Sequence, residues 1–123
     1  MRGVARFVVL RQDEEMRKRL RRIYAATLAA VAARCGLTLA EMARSRRAEC
    51  CLARAVLVLT LLQLGITEPT VRDLTGMSQQ RVNYIKNTPP QRLSNLEGRI
   101  LCARVWGDVK RFKDEEGEDG EEE

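Results

Sequence analysis

The side chains best equipped for recognition chemistry fall in two stretches. In the first, Gln79, Gln80, Arg81, Asn83 and Lys86 follow one another within nine residues, interrupted only by Val82, Tyr84 and Ile85. Amides and guanidiniums offer paired hydrogen-bonding groups in a plane. That pattern meets a base edge in bidentate fashion, Arg on guanine and Gln or Asn on adenine. The second stretch holds Arg44, Arg46, Arg47 and Arg54, whose forked donors suit phosphate. Catalysis has far less to work with. The chain of 123 residues contains no histidine, which removes Ser-His and Cys-His pairs and most zinc sites. Neither G-x-x-x-x-G-K-[ST] nor G-x-G-x-x-G occurs, so no phosphate-cradling loop is legible. No nucleophile–base pair and no metal cluster can be assembled, so the expectation is a protein that is not an enzyme and carries no metal or cofactor.

The polar side chains need a frame. From Thr67 to Asn87 the pattern predicts two short helices. Thr67 caps the first, and Pro69 lies in its first turn, where a missing N–H costs nothing. Gly76 supplies a turn that tolerates positive φ, and Ser78 caps the second helix. Val82, Ile85 and Met77 face Val71 and Leu74, which leaves the polar group outward. Residues 67–87 therefore read as a helix-turn-helix. In that motif the N-terminal half of the second helix reaches base edges. This places Gln79, Gln80 and Arg81 at bases, with Asn83 and Lys86 deeper along or at a flanking phosphate. Ser78 is grouped with Arg44, Arg46, Arg47 and Arg54 as a phosphate contact.

The rest of the chain supplies the body. Residues 1–12 read as an arm or the beginning of the first helix. Asp13 is placed as a helix cap, and Met16, Leu20, Ile23, Thr27, Leu28 and Val31 recur at helical spacing. Gly36 ends that helix. Thr38 and Glu41 form a capping box for a short helix ending near Arg44. Ser45 is placed as the cap of a longer helix from Arg46 to Leu64. Its second half, Ala55 to Leu62, is apolar on every side apart from Thr60, the pattern of a central helix. Ser94 to Glu97 suggests a second capping box, opening a last helix through Leu96, Ile100, Leu101, Val105 and Trp106 to about Phe112. Gly98 and Gly107 count against that helix, each by ~1 kcal/mol relative to Ala. Every apolar pattern has a helical period, so the fold class is all-α, with five or six helices in one domain over residues 13–113.

Charge is distributed unevenly. Asp114 to Glu123 holds eight carboxylates and no cation, and such a run is expected to be a solvated, disordered acidic tail. The other nine of the 17 carboxylates face all 22 cations, so residues 1–113 carry a net +13. A body that basic suits a polyanion. Cys35, Cys50, Cys51 and Cys102 include no C-x-x-C pair. They read as reduced thiols in a cytoplasmic protein. The longest apolar run falls well short of the ~20 residues a membrane span needs.

The string G-L-T-L-A-E-M-A-R-S-R-R-A-E-C-C-L-A-R-A-V-L-V-L-T-L-L-Q-L, residues 36–64, followed by a short helix, a glycine turn and a second helix, resembles the C-terminal DNA-binding domain of the bacterial replication initiator DnaA. The resemblance spans residues 36–87 and implies a Trp-repressor-like helical fold. Ser45, Arg46, Arg47, Ala53 and Arg54 fall on the family's basic loop and on its A-R pair at the start of the long apolar helix. The resemblance implies backbone contact by Arg46, Arg47 and Arg54. The family's D-H-[ST]-T-V signature is missing, and M-S-Q-Q-R-V stands in the corresponding stretch. The initiator's own base readout is therefore not implied, and its ATPase module is absent from this chain.

These readings converge on a sequence-specific binder of double-stranded DNA, nucleoid-associated, of bacterial, phage or mobile-element origin, that regulates transcription or replication. A homodimer or a protein partner stays open, and no membrane partner is expected. The competing reading is a protein-interaction adaptor whose degenerate hairpin docks an acidic partner. An RNA binder is disfavoured by the scarcity of aromatics, 4% of residues, for stacking on unpaired bases.

Overall fold

A computed structural model describes the backbone of residues 2–121 and the side chains of residues 13–115. Among the described residues there are six α-helices, one 3-10 turn and no strand. The helices are α1 (Arg2–Cys35), α2 (Leu39–Arg44), α3 (Ala48–Gln63), α4 (Glu68–Thr75), α5 (Gln79–Asn87) and α6 (Leu96–Glu121). The 3-10 turn, Gln91–Leu93, precedes α6. The all-α class and the helix count agree with the sequence patterns.

Glycine ends the two helices that frame the core. At Gly36 φ is +66°, and the Leu37 N–H reaches back to the Ala32 carbonyl at 2.9 Å. At Gly65 φ is +91°, and Ile66 N–H reaches the Leu61 carbonyl at 3.2 Å. Both are left-handed caps that return a carbonyl to a partner and fold an apolar residue, Leu37 or Ile66, onto the core. α3 is the central helix, with Val56, Val58 and Leu61 fully buried and contacts to each of the other five helices. Thr60 donates its hydroxyl to the Val56 carbonyl at 2.7 Å, and Thr27 does the same to Ile23 at 2.7 Å. Two hydroxyls are thereby buried without orphaned donors. α1 and α6 run antiparallel. Arg34 meets Asp108 through two 3.0 Å bonds near one end, while Met16 and Leu20 share a hollow with Lys113 towards the other.

Several local expectations are corrected. Residues 2–12 are helical and continue into α1, so Asp13 lies inside a helix and caps nothing. Extending an existing helix is cheaper than nucleating one, and no breaker separates the two stretches. Met16, expected on the inner face, is exposed because the body packs beside α1 only further along. α3 begins at Ala48 with Arg47 at its cap. Ser45 belongs instead to the end of α2, and its Oγ accepts the Arg47 N–H at 3.2 Å. The hydroxyl of Thr67, at the cap position of α4, pairs with Thr70 at 3.0 Å and makes no cap bond.

The start of α6 is also shifted. Asn95 is its cap, with Oδ1 accepting the Gly98 N–H at 2.8 Å, while Ser94 donates to the Gln91 carbonyl at 2.6 Å. Leu96 and Ile100 are exposed, and the inner face of α6 is built from Val105 and Val109. Gly98 is a requirement of the packing: a Cβ there would lie 2.3 Å from the Arg92 carbonyl oxygen and 2.5 Å from the Leu93 Cα. α6 remains helical past Phe112 and through Glu121, where a disordered tail was expected. Glutamate is a good helix former and the helix is already nucleated when it reaches the acidic run. Residues 122 and 123 lie outside the described residues.

Candidate nucleic-acid interface

α4 and α5 meet at Gly76, where φ is +74° and the Gly76 N–H closes on the Arg72 carbonyl at 2.8 Å. Ser78 then starts α5, its Oγ accepting the Arg81 N–H at 3.2 Å. Val71, Val82 and Ile85 are buried between the two helices and α3, so the rotation of α5 is fixed. With 3.6 residues per turn, the face opposite Val82 and Ile85 carries Gln80, Asn83, Tyr84 and Asn87. All four are exposed, Tyr84 at 67%. Arg81 falls on one flank of the helix, and Gln79 and Lys86 fall on the other.

The flanks have different neighbours. Gln79 Oε1 accepts from Arg72 Nη1 at 3.1 Å, and Lys86 Nζ pairs with Glu68 Oε1 at 3.1 Å. Two of the five residues expected to read bases are thus tied back to α4. Asn83 is engaged by Asn87, whose Nδ2 donates to its Oδ1 at 2.7 Å, and both still face outward. Gln80 and Arg81 are exposed, with no hydrogen bond to their side chains among the described residues. Tyr84, an interruption of the polar run in the sequence, and Asn87, outside the expected site residues, both join this face. Their signal was available, because Tyr84 lies four residues after Gln80, and Asn87 four after Asn83.

The arginine cluster divides likewise. α2 has only six residues, so its last carbonyls have no partners within the helix. Arg54, half-buried on α3, fills that need. Its Nε donates to the Met42 carbonyl at 2.6 Å, and its Nη2 reaches the carbonyls of Glu41, at 3.5 Å, and Ser45. Arg47 pairs with the Glu41 carboxylate. Glu41 closes the capping box expected from the sequence: its N–H bonds to Thr38 Oγ1 at 3.0 Å and its Oε1 accepts the Thr38 N–H at 3.1 Å. Hydrogen bonding from Thr38, and then the charge of Arg47, hold this carboxyl below its ordinary range. Arg44 and Arg46 are exposed, and their guanidiniums have no hydrogen-bond or ion-pair partner among the described residues.

A groove of about 410 Å³ joins the two halves of the site. Arg44, Ser45, Arg46 and Arg54 line it from the α2–α3 corner, and Gly76, Met77 and Arg81 from the α4–α5 corner. Leu28, Met42 and Leu57 make an apolar floor, and no carboxylate lines it. The arrangement brings Arg44, Arg46, Arg54 and Arg81 to one groove. It leaves Gln79 and Lys86 on the far flank of α5.

Cys51 touches the basic corner, its Sγ accepting from Arg54 Nη1 at 3.7 Å. Cys50 is buried, and Cys35, Cys51 and Cys102 are half-buried free thiols. Burial pushes the Cys35 and Cys102 thiols up. Among the described residues no group of His, Cys, Asp or Glu could hold a metal, and no helix is long and apolar enough to cross a membrane. Comparison with protein-family models, with curated proteins and with solved structures finds no match.

Proposed function

We propose that this chain binds double-stranded DNA, with α4 and α5 acting as a helix-turn-helix and α5 entering the major groove, and that it regulates transcription or replication through that binding. One observation carries the reading. α5 is locked by Val82 and Ile85 so that Gln80, Asn83, Tyr84 and Asn87 face outward, beside a groove lined by four arginines and no carboxylate. Amides at the front of a helix can read base edges, and guanidiniums at its side can hold the backbone. The +13 of residues 1–113 supplies the long-range attraction. The likeness of residues 36–87 to the initiator's DNA-binding domain points the same way, and the missing signature assigns base readout to this chain's own amides.

The geometry also refines the division of labour. Gln80, Asn83 and Asn87 are the proposed base readers, with Tyr84 beside them, while Gln79 and Lys86 brace α5 from α4. Arg44 and Arg46 are the proposed phosphate contacts of the basic corner. Arg47 and Arg54 hold that corner in shape, and Ser78 fixes the start of α5. The test is duplex affinity measured against ionic strength, with single strands as control. The expected result is a preference for duplex and a log–log slope of several units. A flat salt dependence with no preference for duplex would support an adaptor instead.

A further inference from the structure

We infer that the groove between the α2–α3 corner and α5 is a cradle for a DNA phosphodiester strand, and that Arg81 holds the backbone there and reads no base. The inference rests on the DNA-binding reading above and assigns one strand of the duplex to a definite place on the protein.

Three observations carry it. The first is angular. Arg81 follows Gln80 by one residue, which turns it about 100° around the helix axis, off the outward face and onto the flank that lines the groove. When a helix lies in the major groove, base edges are ahead of it and the sugar-phosphate walls are beside it. The second is charge. Two basic groups close by have carboxylate partners: Arg47 has Glu41 and Lys86 has Glu68. In this groove that pairing stops. Arg44, Arg46, Arg54 and Arg81 share it with no carboxylate in the lining, so their mutual repulsion is relieved when an anion enters. The third is the floor. Partly exposed Leu28 and Met77 offer apolar carbon beside the cations, a surface suited to the deoxyribose that separates successive phosphates. A guanidinium on each wall with carbon beside it is the arrangement a phosphodiester strand requires.

The experiment uses the full chain. Preferred duplexes are selected from a random library with the wild type, Arg81→Ala, Arg81→Lys and Gln80→Ala, and affinity for the selected and for an unrelated duplex is then followed against salt. Circular dichroism melts check that the variants, all at exposed positions, remain folded. For Arg81→Ala the expected sequence profile is that of the wild type. The affinity loss should be the same factor on both duplexes, and the salt slope should fall by about 0.9. Between 50 and 200 mM salt, that is a roughly threefold smaller loss of affinity. Arg81→Lys should restore the slope, and Gln80→Ala should alter the profile and keep the slope. An Arg81→Ala profile that loses preference at one base pair, with the slope unchanged, overturns the cradle while leaving DNA binding standing. A wild-type chain without affinity for any duplex overturns both.

Discussion

Arg54 Nε donates to the main-chain carbonyl of Met42 at 2.6 Å, so a side chain of α3 closes the end of α2. The same guanidinium reaches the carbonyls of Glu41 and Ser45. The α2–α3 corner, which carries Arg44 and Arg46, therefore owes its shape to a half-buried cation. Two roles are separated here that the same residue type had blurred: one arginine organises the corner, and its neighbours face solvent.

Removing Arg54 should therefore act first on stability. Arg54→Ala takes the side-chain donor from the Met42 and Ser45 carbonyls, while Glu41 keeps the Ser45 N–H at 2.9 Å; each carbonyl left bare costs about 1–3 kcal/mol if water does not replace the lost bond. Arg54→Lys should recover little, since an ammonium cannot span carbonyls spread along a corner as a planar fork does. A thermal melt by circular dichroism checks this. Melting temperatures equal to wild type for both variants would show that the corner stands without Arg54.

Gly98 and Gly107 lie in the same helix and should respond in opposite directions. Gly98→Ala drives a methyl group into the Arg92 carbonyl and the Leu93 Cα, and strain of this kind typically costs about 1–3 kcal/mol. A Cβ at Gly107 meets nothing within 4 Å, so Gly107→Ala should gain up to about 1 kcal/mol from helix propensity. Urea unfolding of the two variants provides the comparison, and a stabilised Gly98→Ala would contradict the packing of the 3-10 turn on α6.

Acid should weaken the fold through two identified carboxylates. The hydrogen bonds and charge of Arg34, with Arg111 adding, hold Asp108 below its ordinary range, and Thr38 and Arg47 do the same for Glu41. A carboxyl depressed in the folded state adds stability above its unfolded pKa, about 4. That stability is lost as pH falls through the folded value. Urea midpoints should thus be flat from pH 7 to 5 and fall below pH 4. Asp108→Asn should lower the midpoint at pH 6 and make its fall below pH 4 shallower. Both groups are solvent-accessible, so the effect is small, and added salt should reduce it.

On the outward face of α5, Gln80→Ala and Asn87→Ala should each cost about 1–3 kcal/mol on a selected duplex if the amide is bidentate to a base, and little on unrelated sequence. Gln79→Ala should change sequence preference least, because its amide oxygen is held by Arg72. Equal losses at all three positions on every duplex would contradict this order.

Much of the frame was legible because its signals are local. Gly36, Gly65 and Gly76 punctuate the helices where the sequence has them, and the Thr38–Glu41 box and Ser78 cap form as their spacing predicts. What escaped depends on chain segments meeting. Gly98 reads as a helix weakener until the 3-10 turn is seen packed against it. Ser45 reads as the cap of α3 until Arg54 gathers the end of α2. Among the site residues, the outward position of Gln80 followed from periodicity, whereas Arg81, expected at a base edge, lies on the flank that lines the groove. The attachment of Gln79 and Lys86 to α4 did not follow from periodicity, because Arg72 and Glu68 carry no mark of their partners in the linear sequence.

The attachments of α5 are one-sided. Arg72 to Gln79 and Glu68 to Lys86 act as two struts on the flank facing α4, one near each end of α5. The opposite flank borders an open groove. With Val82 and Ile85 seated in the core, α5 is held along its axis, and its polar braces against sideways pressure stand on one flank only. On the proposed function, a strand in the groove would bear on α4 and α5 from the flank that carries no strut and so bias the tilt at which the amide face is presented. If α5 enters a duplex as proposed, two targets that fill the groove differently would meet the same four side chains at two different inclinations.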